Sequence, residues 1–322
     1  MKHRIFEFKS SVLCLCLCLA LAFQHTYAAE EVPAGQRIAV LFPKLQAPYD
    51  QIFKSIIEGI DAAHPGPLLQ VEIADAMGAA SLERILQSDG NDAVIALGNR
   101  SVELLLQTNQ NPDRAIAGAV LMEPNDGKKL SAISIAPNPQ QLFSHLRRLT
   151  PAVKKIHVIY QRHEEQQLIE KAAIGAQSLG LELTAIPTAS VQELADSYWK
   201  VLKKLNPVTE ALWIPHTGKS LDQAIMGRVL KEAWNRPLIV FSSNLADVRK
   251  GALFALYPDN PAMGRSLVAM LYAHLENPQA GRSVHLSQDL VAAINTRTAN
   301  HLGIYLNASE LTNYRLIYPE GK

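Results

Sequence analysis

The sequence predicts an α/β protein of two Rossmann-like lobes, each a parallel sheet flanked by helices. Three observations carry this. Short Val/Ile/Leu-rich runs, apolar on both faces, recur along the chain, as strands do when helices cover a sheet on both sides. Amphipathic stretches of about 10–17 residues separate them. The alternation then occurs twice, with a seam near residues 131–140, where Pro137 and Pro139 mark extended chain leading into a new helix. A single doubly wound sheet of eight or more strands is the alternative.

Taken in order, the chain begins with Lys2, Arg4 and Lys9, followed by a 13-residue apolar run from Ser11 to Phe23. Small residues at Thr26 and Ala28 then suit a cleavage site. This is the layout of a secretory leader, with cleavage expected after Ala28 and export to the periplasm. The run is short of the roughly 20 residues of a membrane span, although an uncleaved anchor is the other reading. All three cysteines, Cys14, Cys16 and Cys18, lie inside it. Without residues 1–28 the 322-residue chain keeps 294 residues and no thiol, so neither a disulfide nor a cysteine nucleophile is expected. The whole chain carries +1 and the leader +2, which leaves about −1 and no general attraction to nucleic acid or anionic lipid.

The first strand series is expected at residues 37–42, 70–74, 92–97 and 115–121. The second is expected at 156–160, 181–186, 211–214 and 237–241. The helical stretch 164–179 stops at Gly180, and 192–205 stops before Asn206-Pro207. The last third departs from the alternation. Residues 251–257 read as a strand, Pro258-Asp259-Asn260-Pro261 as a turn, and 262–275 as a long helix with Met263, Leu267, Met270, Leu271 and Leu275 on one face. A strand-like 286–294 follows, with short helices at 296–302 and 308–313.

These C-terminal residues carry a resemblance. Gly251-Ala252-Leu253, the turn into a helix with Gly264 early in it, and Ile294-Asn295-Thr296-Arg297-Thr298-Ala299-Asn300-His301-Leu302-Gly303-Ile304 resemble, in order and spacing, the signature of a family of ABC-transporter substrate-binding proteins that includes proposed tryptophan and tyrosine binders. Leu97-Gly98-Asn99 and Leu149-Thr150-Pro151 with 155–160 are similar to the family's first-lobe turn and second-lobe entry. The resemblance spans residues 37–317. It implies a type I periplasmic-binding-protein fold, two lobes joined by crossing hinge strands with ligand between them. The expected lobes are 36–137 plus 258–280, and 138–257 plus 281–318. The family's glycine-rich run after its fourth strand is missing here, where the chain reads Leu121-Met122-Glu123-Pro124-Asn125-Asp126-Gly127.

Ligands in such lobes sit beyond the carboxyl ends of the strands. The loops expected there supply the candidates. Gly98, Asn99, Arg100 and Ser101 open a helix, where free backbone N–H groups favour an anion and Arg100 adds a cation; Asn99 is equally a helix cap. Gln46 and Tyr49 follow the first strand, and Glu123 the fourth. On the second lobe stand Tyr160, Gln161 and Arg162, then His216 and Thr217, then Ser243 and Asn244. Tyr257 and Asp259 lie where a strand crosses between lobes; Asp259 is also a cap for the following helix.

Nothing here reads as catalytic. Gly218-Lys219-Ser220 ends like a phosphate loop, but the glycine that loop requires is Trp213. No nucleophile elbow, metal-ligand spacing or cofactor loop is present. The expected function is capture of a small polar metabolite, an amino acid or a relative, and its delivery to an inner-membrane ABC permease with its ATPase. A ligand sensor that reports to a membrane receptor or kinase without transport is the alternative.

Overall fold

The computed structural model describes residues 35–47, 49–121, 129–216, 223–278 and 281–319, apart from the side chains of 163 and 164. The expected leader, Glu123 and Thr217 lie outside these residues. From Gln36 onward the chain forms one compact unit.

The first lobe is built on β1 (Ile38–Pro43), α1 (Asp50–Ala63), β2 (Leu68–Ile73), α2 (Ala79–Ser88), β3 (Ala93–Leu97), α3 (Asn99–Leu105), β4 (Ala115–Val120) and β5 (Ser131–Pro137). The chain then crosses to the second lobe. There it forms α4 (Pro139–Leu149), β6 (Lys155–Gln161), α5 (Arg162–Ser178), β7 (Glu182–Thr188), α6 (Val191–Lys204), β8 (Glu210–Ile214), α7 (Gln223–Asn235), β9 (Ile239–Ser242), α8 (Leu245–Lys250) and β10 (Phe254–Pro258). It returns to the first lobe for α9 (Asn260–Glu276) and β11 (Val284–Ser287). It crosses once more for β12 (Leu290–Asn295), α10 (Thr296–His301), α11 (Ala308–Leu311) and β13 (Leu316–Tyr318).

The first sheet has the order β11-β5-β4-β3-β1-β2, and all its pairings are parallel. The second has the order β13-β12-β10-β9-β8-β6-β7. Its β6 to β10 are parallel, and β12 returns antiparallel to β10. The architecture is the two-lobed α/β fold expected, not one large sheet. One strand was misread. The apolar run 286–294 is two strands in two different sheets, broken at Gln288-Asp289. The first sheet therefore reaches Ser287, beyond the border expected at 281. Residues 131–137, expected as extended chain, are a full strand, and β13 is too short to show in the pattern.

Helices cover both faces of each sheet. In the first lobe, Ile56, Ile57 and Ile60 of α1 and Met263, Leu267 and Leu271 of α9 bury one face. Leu82 and Leu86 of α2 and Val102 and Leu105 of α3 bury the other. In the second, α4 and α5 cover one face with Leu142, Phe143, Leu146, Ile169 and Ala172. There α6 and α7 cover the opposite face with Leu194, Tyr198, Met226 and Val229. At about 25 cal/mol per Å² of apolar area removed from water, these four layers are the main stabilising term.

The contact of α9 with α1 is made backbone to backbone. A Cβ on Gly264 would stand 2.1 Å from the Ile56 carbonyl oxygen, and one on Gly59 would stand 2.0 Å from that of Pro261. The glycine early in the long helix is thus the residue that lets the returning segment seat on the first lobe.

Candidate functional site

The chain leaves the first sheet at the carboxyl ends of β5 and β11, and leaves the second at the carboxyl end of β10. The three crossings therefore join the carboxyl edges of both sheets, so the loops beyond those strand ends line the region between the lobes.

The crossings are fastened to each other. Asn138 N–H donates to the Ser287 carbonyl at 3.0 Å, and the Asn138 and Gln141 amides donate to Gln288 Oε1 at 3.0 and 2.8 Å. Asp259 N–H donates to the Asp289 carbonyl at 2.8 Å. Asp259 also caps α9 through Ala262 N–H and pairs with Arg315 at 2.8 Å. Asn138, Gln141, Gln288 and Asp289 were not anticipated. The signal for the last two was the polar pair inside the apolar run 286–294.

On the first lobe, Gly98 has φ +77° and precedes α3; a Cβ there would approach the Phe53 ring to 3.1 Å. Asn99 is the first helical residue, not the cap. Its Oδ1 accepts the Leu121 N–H at 3.1 Å. That N–H is turned out by a bulge at Ala119, whose φ is +53°. Arg100 Nη2 donates to the carbonyls of Asp75 and Met77 at 3.2 and 3.3 Å, which ties the loop after β2 to α3. Ser101 is fully buried and its hydroxyl has no hydrogen-bond partner among the described residues. Gln46 and Tyr49 stand in the loop after β1, exposed, with Tyr49 the more open at 66%.

On the second lobe, Tyr160 is buried in the core and its hydroxyl donates to Gln166 Oε1 at 2.8 Å. Gln161 ends β6, and its N–H donates to Glu165 Oε2. Arg162 opens α5 and is exposed. His216, just past β8, is half-buried, and burial lowers its pKa. Ser243 is buried; its Oγ accepts the Trp213 indole N–H at 2.9 Å. Asn244 caps α8 through Ala246 N–H at 3.0 Å. Tyr257 is half-buried, and burial raises its pKa. Every described candidate thus sits at a carboxyl edge. Tyr160, Ser243 and Asp259 have their polar side-chain atoms engaged within the protein, and Asn244 its Oδ1. Gln46, Tyr49, Arg162 and His216 make no side-chain hydrogen bond among the described residues.

A hollow of about 620 Å³ lies behind the crossings, lined in part by Gln141, His145, Arg148, Val291 and Arg315. Arg148 Nη2 donates to His145 Nδ1, so His145 is the Nε2–H tautomer and donates to the Tyr314 hydroxyl at 3.1 Å. Burial, with the Arg148 charge adding to it, holds His145 neutral with a pKa of about 4. Among the described residues, no three His, Cys, Asp or Glu side chains come together as a metal set. No helix among them is long and apolar enough to cross a membrane.

No curated protein matches the chain. Three solved structures share its fold. An ABC domain from Streptococcus pneumonia, solved in complex with L-Trp, is 20% identical with a TM-score of 0.55, covering 88% of this chain and 99% of that one. A ligand-free, open substrate-binding protein with adhesive properties from Clostridium difficile is 16% identical with a TM-score of 0.62, covering 88% and 100%. A conserved domain protein from Vibrio cholerae is 17% identical with a TM-score of 0.53, covering 88% and 99%. The fold is that of a type I periplasmic binding protein. The profile of the ABC transporter substrate binding proteins matches residues 118–313, more than half of the sequence, including all of the second lobe up to α11 and the returning α9 and β11. The chain belongs to the ABC transporter substrate-binding protein family.

Proposed function

We propose that the protein captures a small polar metabolite, an amino acid or a close relative, between its lobes. It hands that metabolite to an inner-membrane ABC permease and its ATPase. The observation that carries this reading is the meeting of both carboxyl edges at three crossings in a chain of this family. Chemistry is not needed: lobe closure around the ligand is a population shift that a permease reads. The leader fits this role by sending the chain to the periplasm, with cleavage after Ala28.

Native mass spectrometry of the mature protein, purified from the periplasm of its host, tests the reading. A metabolite bound at one per chain supports it and names the ligand. An empty protein whose melting temperature is unmoved by amino acids and related metabolites overturns it. With the ligand in hand, His216→Ala raises Kd about tenfold, the cost of one polar contact in a closed site. An unchanged Kd removes His216 from the site.

A further inference from the structure

A second feature lies outside the interlobe region, on the second lobe. A groove of about 740 Å³ is bounded by α7, by α8 with Gly251, by α10 and by the end of β13. Four cations line it: Lys231 from α7, Arg249 and Lys250 from α8, and Arg297 from α10. No Asp or Glu is among its described lining residues. None of the four cations is in an ion pair with a described residue. The nearby Asp247 is buried and accepts the Ser242 hydroxyl at 2.7 Å; it also feels the Lys250 charge, so one carboxylate faces four cations and leaves the groove with a net positive charge.

Trp234 stiffens one wall. His301 stacks on its ring at 3.8 Å and 7°, and His301 Nε2 donates to the Trp234 carbonyl at 2.7 Å. The Arg297 guanidinium lies 5.0 Å from the same ring. Four like charges in one concavity repel, and low-dielectric walls focus their field outward. The complement of such a groove is an anion.

The shape selects which anion. A compact phosphate site brings neutral donors to one point, but two of the polar side chains here, Asn295 and Thr298, are spent within the fold. Asn295 accepts Thr298 N–H and donates to the Val248 carbonyl, and the Thr298 hydroxyl donates to the Gly251 carbonyl. The cations are spread over three helices instead. A flat bilayer meets convex surfaces, and these cations line a hollow. We propose that this groove docks an extended acidic peptide segment of a partner protein.

The test is fluorescence anisotropy of a labelled oligoglutamate peptide titrated with the full mature protein at low salt. The expected result is binding that weakens as salt rises and that K231E/R297E weakens at least about tenfold. The control pair K203E/K204E, on exposed residues of α6 outside the groove, makes the same change in net charge and leaves binding unchanged. If the double reversal shifts the melting temperature, the neutral pair K231Q/R249Q replaces it, with the same direction expected. No peptide binding, or equal loss in the control pair, overturns the proposal. So does displacement of the peptide by inorganic phosphate at matched charge concentration, which makes the site one for small anions. Groove-dependent sedimentation with phosphatidylglycerol vesicles in the absence of peptide binding also overturns it, in favour of a membrane surface.

Discussion

The two lobes reach the same layered architecture by opposite packing. Every buried Phe, Tyr or Trp among the described residues lies in the second lobe, including Phe143, Tyr198, Trp213, Phe241 and Phe254. Phe143 meets Trp213 edge-on at 5.2 Å, and Phe241 stacks on Phe254 at 5.2 Å. The first lobe buries aliphatic side chains and brings α1 and α9 together on Gly59 and Gly264. One lobe fills its interior with rings; the other removes atoms until backbones touch. The second is therefore vulnerable to deletion of volume and the first to its addition. All three tryptophans, Trp199, Trp213 and Trp234, lie in the second lobe, so their fluorescence reports on that lobe alone.

The contrast is broken most sharply by Phe143→Ala. This fully buried ring lies between Trp213 and Phe241, and its loss costs about 3–5 kcal/mol. Urea unfolding followed by tryptophan fluorescence shows the loss as a lower midpoint; an unchanged midpoint contradicts the ring-filled core. The next effect is that of pH. His145 titrates near 4 in the folded protein and near 6.5 when unfolded, so the unfolded chain takes up the proton first. Stability is full above pH 6.5, and about 3 kcal/mol is lost as pH falls from 6.5 to 4. His145→Asn flattens the urea midpoint across this window, and an equally steep profile in the variant assigns the slope to other groups.

Gly264→Ala is smaller, about 1–3 kcal/mol, because α9 has to lift from the Ile56 carbonyl. It lowers the far-UV circular dichroism transition ahead of the fluorescence transition. Coincident transitions mean that the lobes unfold as one, and the separate vulnerabilities collapse into a single stability. Arg315→Ala is the smallest. Its pair with Asp259 is half-exposed on the arginine side, and removal costs under about 1 kcal/mol in urea unfolding, less at high salt.

Much of this contrast was legible in the sequence. Strands buried on both faces announce themselves as apolar runs, and all eight expected strand positions of the two series carry strands. The break at Gln288-Asp289 was not legible, because two short strands of different sheets read as one run when only periodicity is counted. At the site, strand ends were predictable and side-chain partners were not. Asn99 reads as a cap, yet the cap position falls on Gly98, and the acceptor of Asn99 is taken by Leu121 N–H. That contact depends on a bulge at Ala119, a backbone event with no residue signature, since alanine seldom takes a positive φ. Ser243 offers a hydroxyl at a strand end, and only the fold reveals that Trp213 claims it.

The seat of α9 on α1 also governs the order in which the molecule is completed. The face of the first sheet that α9 covers stays open until residues 260–276 exist, and its edge strand β11 comes later still. Between the two parts of the first lobe, the ribosome makes the run of the second lobe from α4 to β10. The half of the protein that emerges first thus cannot close until residues 260–287 have been made, and through most of synthesis part of its apolar surface is left uncovered.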